Sequence, residues 1–160
     1  MTDGTQRTGL EARRVIEALA AHEDAVGDLY AAYAVRFPKA ASFWQGLSTE
    51  EYGHGSLMRD LGAHEHELDV FVDTRRFPLP ELQAATRAVR DQIAVAEGSH
   101  VTLVEALENA LDLEQEIVER EAYEVFSSDS PNVSRVLGHL RTSSEQHRDG
   151  IREFLTRAAR

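Results

Sequence analysis

The chain has 160 residues, no cysteine and a formal net charge of −11. One domain spanning residues 1–160 fits that length with room for a sizeable core, and the absent thiols exclude disulfides, thiolate nucleophiles and cysteine-held zinc or iron–sulfur centres. An acidic balance without a Lys/Arg-rich tail argues against nucleic acid or an anionic membrane as partner. No apolar run is long enough for a membrane span and Met1 to Gln6 holds no signal-peptide core, so a cytoplasmic location is expected.

Thr8-Gly9-Leu10-Glu11 has the form of a capping box and predicts that a first helix starts near Leu10. Its stripe reads Ile16, Leu19, Glu23, Val26, Tyr30, Tyr33, Phe37 in steps of three and four, and Pro38 ends it. So short a turn predicts an antiparallel hairpin with a second helix from about Lys39 to Gly62. Ser48-Thr49-Glu50-Glu51 is an alternative start for that helix. Either start leaves Glu51 and His54, three apart, on one face, in a stripe that runs Trp44, Leu47, Glu51, His54, Met58, Leu61. The glycines at 46, 53 and 55 weaken this helix or let another backbone come close.

From Ala63 to Leu79 the pattern is irregular, and His64-Glu65-His66-Glu67 reads as a solvated patch at a fraying helix end. Glu81 to Glu97 predicts a shorter crossover helix with Leu82, Ala85, Val89, Ile93 and Ala96 on one side, closed by Gly98. Thr102-Leu103-Val104-Glu105 is a further capping box. It opens a third long helix, Leu103 to Phe126, with the seam Val104, Leu107, Leu111, Glu114, Val118, Glu121, Val125. Ser130-Pro131 supplies an N-cap and N1 proline for a fourth, Asn132 to Arg157, with the seam Val133, Leu137, Leu140, Ser144, His147, Ile151, Phe154.

With the first helix taken as Leu10 to Phe37, the polar seam residues of all four helices fall near the helix midpoints. Glu23, the Glu51/His54 pair, Glu114 and the Ser144/His147 pair would then meet at one height in an all-α four-helix bundle. Buried carboxylates without partners are costly, so such a layer demands a metal or opposing charges. His22, His100 and His139 fall off the seams and are read as surface residues.

This layer resembles the ferritin-like di-iron carboxylate family, most closely its rubrerythrin and bacterioferritin branch, whose bundles carry one Glu on each of two helices and Glu-x-x-His on the other two. The resemblance implies an up-down four-helix bundle with a long crossover carrying an extra helix. It implies Glu23, Glu51, His54, Glu114 and His147 as ligands, with Glu51 bridging two metals. In that branch a Tyr commonly follows the first-helix Glu by seven residues, which marks Tyr30 as the catalytic residue. The departure is Ser144, which stands where the family has a second bridging Glu. Glu145 is turned about 100° aside from it, and Glu121 lies about 10 Å along the axis from Glu114.

The implied cofactor is iron, two per chain with one position weaker, or manganese, since carboxylate and imidazole suit both. The implied function is redox chemistry on ferrous iron, peroxide or oxygen, of peroxidase or ferroxidase type. Without cysteine there is no rubredoxin-like domain, so electrons must come from an external donor. Two other readings are a metal-poor bundle of the same descent acting as a structural or interaction module, and a subunit of an iron-storage cage. A homo-oligomer is compatible with each.

Overall fold

The computed structural model describes residues 2–64, 70–98, 100–116 and 123–160, with side chains from Gly9 onward. These residues form an all-α protein of five α-helices: α1 (Thr2–Arg36), α2 (Ala41–Ala63), α3 (Leu79–Gly98), α4 (Leu103–Gln115) and α5 (Pro131–Ala158). A two-residue strand β1 (Phe71–Val72) pairs antiparallel with β2 (Phe126–Ser127). No described helix is long and apolar enough to cross a membrane.

α1 and α2 make the hairpin that the short turn requires. Pro38 opens a single 3-10 turn, Pro38–Ala40, which leads directly into α2. The two helices run antiparallel: Ile16 lies against Gly62, Asp24 pairs with Arg59 at 2.7 Å, Ser48 donates to the Gly27 carbonyl at 2.8 Å, and Tyr33 packs on Trp44. Gly55 is where the backbones come closest, since a Cβ there would stand 2.7 Å from Asp24 Oδ1 and 3.1 Å from the Ala20 carbonyl. Gly46 and Gly53 face open space, so only one of the three predicted glycines serves close approach.

Two helix boundaries differ from the sequence expectation. α1 begins at Thr2, not near Leu10, so Thr8 lies inside a helix already running and its capping box is not used. Likewise α2 passes through Ser48 without a break; that hydroxyl bonds to α1 instead of capping. Thr102 does form the predicted capping box with Glu105, and Pro131 occupies the first turn of α5, although Ser130 caps it through no side-chain bond.

The third helix is the largest departure, because α4 stops at Gln115 instead of continuing to Phe126. Beyond it Tyr123–Val125 is a 3-10 turn and Phe126–Ser127 pairs with Phe71–Val72. A helix through these residues could not bury Tyr123, Val125 and Phe126 together while giving backbone bonds to β1. The predicted seam residues Val118 and Glu121 lie outside the described residues.

The core falls into two apolar clusters. One gathers Leu29, Tyr30, Tyr33, Trp44, Leu107 and Ile151; the other gathers Leu19, Met58, Leu82, Tyr123, Phe126 and Leu140. Along α1, α2 and α5 the polar residues Glu23, Glu51, His54 and His147 stand between these clusters, and Glu114 stands just past the last α4 residue of the first. α3 packs against α1 and spans both clusters, with Leu82 in one, Val89 and Ala96 in the other, and Thr86 at the polar level between.

Candidate metal centre

Every side chain of the polar layer is buried by its place on an otherwise apolar stripe: Glu23 is 2 % exposed, Glu51 0 %, His54 3 %, Glu114 3 % and His147 4 %. Helical spacing of three puts Glu51 beside His54, with His54 Nδ1 at 3.1 Å from Glu51 Oε2. α1 brings Glu23 to the other side of the same nitrogen, at 4.0 Å. α5 brings His147, whose Nδ1 lies 2.7 Å from Glu51 Oε1 and 3.7 Å from Glu114 Oε1. Tyr30 donates to Glu114 Oε1 at 2.8 Å. All six residues singled out from sequence therefore meet in one place, Tyr30 reaching across to Glu114 on α4.

The arrangement has two halves that share Glu51. Each imidazole turns Nδ1 toward Glu51 and toward one flanking carboxylate, Glu23 for His54 and Glu114 for His147. The rings face each other with centroids 5.4 Å apart.

The outer nitrogens are anchored by groups that the sequence reading passed over. His147 Nε2 donates to Glu50 Oε2 at 2.7 Å. Ser143 Oγ also donates to Glu50 Oε2, at 3.2 Å, so it accepts the proton of His54 Nε2 at 3.0 Å. Both Nε2 atoms thus carry hydrogen, which directs both Nδ1 atoms inward, as histidine ligands are oriented by an outer acceptor. The signal for Glu50 was present, since it precedes His54 by four residues and so shares its face.

Burial by itself would raise the carboxyl of Glu51 and lower the imidazolium of His147. The charges override it: His147 and His54 hold Glu51 well below the usual carboxylate range, and Glu114 and Glu51 push His147 up to about 11. Glu50 is held below its ordinary value by His147 first and Ser143 after it. His22, expected on the surface, is instead 2 % exposed, with Nδ1 donating to Thr86 Oγ1 of α3 at 3.3 Å. Burial lowers it to about 4, so it sits neutral behind Glu23. His100 and His139 are exposed as expected.

The donor set suits a cation. One ligand atom each from Glu51, His54 and His147 lies within 4.8 Å of the others. Glu51 Oε1, Glu114 Oε2 and His147 Nδ1 are buried and make no hydrogen bond of acceptable geometry. Buried polar atoms rarely lack partners, and Glu51 Oε1 and His147 Nδ1 stand 2.7 Å apart, as ligand atoms around a shared ion do. Oxygen and imidazole donors suit divalent first-row metals.

Ser144 departs from this pattern. Its Oγ bonds to the buried Tyr123 hydroxyl at 2.8 Å, and beside it opens a cavity of about 230 Å³ that reaches Glu114. His64 is exposed and bonds to the Asp60 carbonyl at the end of α2, in keeping with a solvated helix end, while Glu65, His66 and Glu67 lie outside the described residues. Comparison with family models, with curated proteins and with solved structures finds no match to this chain.

Proposed function

We propose that this chain is a ferritin-like di-iron carboxylate protein that carries out redox chemistry on ferrous iron, peroxide or oxygen. In this reading α1, α2, α4 and α5 are the four helices of an up-down bundle and α3 lies in the crossover. The observation that carries it is the convergence of Glu23, Glu51, His54, Glu114 and His147 from four helices, with one ligand atom each of Glu51, His54 and His147 within 4.8 Å of the others. Glu23 and His54 on one side, and Glu114 and His147 on the other, with Glu51 between them, would hold two iron or manganese ions, whose chemistry when bound would be two-electron redox on a small oxidant.

The chain's own groups do the rest. Glu50 and Ser143 fix the imidazole tautomers, and Glu50, whose side chain is 55 % exposed, can pass a proton between solvent and His147 Nε2. Tyr30 stabilises the Glu114 carboxylate through its hydroxyl proton. The apolar clusters flank the layer on either side. Elemental mass spectrometry of the purified chain and of the Glu51→Ala and His54→Ala variants tests the reading. Iron or manganese in the first and its loss from both variants is expected; a metal-free chain, or unchanged metal in both variants, refutes it.

One observation favours a second reading, a metal-poor bundle acting as a structural module. Tyr123 satisfies Ser144, and the His147 cation neutralises part of the Glu51 and Glu114 charge without a metal. A chain that folds with the same stability whether or not iron or manganese is supplied would support it.

A further inference from the structure

We propose that the cavity beside Ser144 binds a small carboxylate anion, which supplies the carboxylate that α5 lacks opposite Glu51. The inference rests on the reading of the buried layer as a metal centre.

The two halves of the layer are matched except at one point. Three residues before His54 stands Glu51; three residues before His147 stands Ser144, and the same helical geometry places it beside its histidine. Glu51 therefore serves both halves from the α2 side, while the α5 side offers a hydroxyl. That hydroxyl borders open volume. The cavity of about 230 Å³ is lined by Ser144, Tyr123, Glu114, Arg141, Glu145 and Arg148. A water takes about 30 Å³ of liquid, so the space admits an acetate-sized anion and several waters. Glu114 is 3 % exposed and its Oε2, which makes no aligned hydrogen bond, belongs to a residue that lines this space.

The sign of the ligand follows from charge. Glu23, Glu51 and Glu114 offer three negative charges to two divalent cations, and Glu50 adds its own only beyond the His147 ring. The remainder is positive charge in a dry interior, where an uncompensated charge is expensive. Arg141 and Arg148 lie three before and four after Ser144 on one face of α5, and both line the cavity; Arg148 pairs through Nε with Asp149 at 3.1 Å, leaving its terminal nitrogens and Arg141 to face the space. Guanidinium groups match a carboxylate in shape as well as charge. Of the acids that line the cavity with Glu114, Glu124 is already held by Arg76 at 2.7 Å, and Glu145 lies between the two arginines in sequence.

Calorimetric titration of the metal-free chain with manganese(II) in chloride buffer, with and without acetate, tests the proposal. Sulfate at equal ionic strength is the control. Acetate is expected to tighten the weaker manganese affinity by about 10- to 100-fold, the range seen when the surroundings of a metal ligand are altered. Ser144→Glu should show the tight affinity without acetate and no further response to it. The Arg141→Gln/Arg148→Gln double variant should lose most of the acetate gain, judged against its own titration in chloride. Circular dichroism confirms that each variant is folded. A titration that acetate leaves unchanged, or an equal gain with sulfate, overturns the carboxylate site while leaving the metal centre standing. No manganese uptake under any condition overturns the metal centre, and with it this proposal.

Discussion

Nδ1 of His147 stands 2.7 Å from Oε1 of Glu51, as close as a charge-assisted hydrogen bond, yet the two are not aligned as donor and acceptor. Atoms that crowd without bonding are aimed past one another at a common point. In the metal-free chain the Coulomb attraction between imidazolium and carboxylate holds them there; a cation would do so with better geometry.

Glu51→Gln keeps the shape of the bridge and removes the charge that both histidines face. The metal-free variant should lose about 1–3 kcal/mol of unfolding free energy, the cost of leaving a buried group without its partner. Manganese at 100 times its dissociation constant should stabilise the unaltered chain by about 2.7 kcal/mol and the variant not at all. Denaturant unfolding with and without manganese measures both, and a metal-dependent shift that survives in the variant would contradict the bridging role.

Glu50→Ala removes the acceptor of the His147 Nε2 proton and frees the ring to turn. Metal affinity should fall about 10- to 100-fold, with Glu50→Gln restoring much of it because the amide oxygen still accepts. Titration of the three proteins side by side decides the point: equal affinities would show that packing alone orients His147.

His22 makes the chain sensitive to mild acid. Its pKa is lowered from 6.5 to about 4 in the folded chain, so the unfolded chain binds the proton more readily between those values. The stability tied to neutral His22 is fully present above about pH 6.5 and is lost as pH falls toward 4, by as much as about 3 kcal/mol. His22→Leu should flatten the pH dependence of urea unfolding over that window. An unchanged slope would mean that other groups carry the acid response.

Gly55→Ala and Gly53→Ala should move stability in opposite directions although they lie two residues apart. At 55 the new methyl meets Asp24 Oδ1 and the Ala20 backbone, and overpacking costs about 1–3 kcal/mol. At 53 it meets nothing, and Ala gains about 0.5–1 kcal/mol over Gly inside a helix. Thermal unfolding of both variants checks the pair.

The polar layer was legible because helical periodicity states which face a residue occupies. Matched helix lengths, which also pointed to a common height, do not hold: α1 has 35 residues and α4 has 13, with Glu114 next to its end and not at its midpoint. His22 was misplaced because a single stripe was drawn on α1, whereas α1 is covered on two sides, by α2 and by α3, and a second buried face has no separate period. Glu50 lies one residue off the stripe and was absorbed into a capping motif that the continuous α2 does not use. The end of α4 was hidden for a different reason. The apolar spacing continues past Glu114, while the pairing of Phe126–Ser127 with Phe71–Val72 joins segments more than fifty residues apart, which no local pattern reports.

Glu114 is the next-to-last residue of α4, and that position has an electrical consequence. The carbonyl ends of a helix add to about half a negative charge at its C-terminus, and among the described residues the Glu116 N–H turns back to cap them, on Asp112 and Leu113. In the proposed centre, the half that Ser144 leaves short of a carboxylate would thus be the half that a helix macrodipole makes more attractive to a cation. Such a terminus contributes about 0.3–1 kcal/mol, less than a tenfold change in affinity, whereas a missing ligand costs more. The α4 terminus would therefore narrow the difference between two metal positions there without removing it.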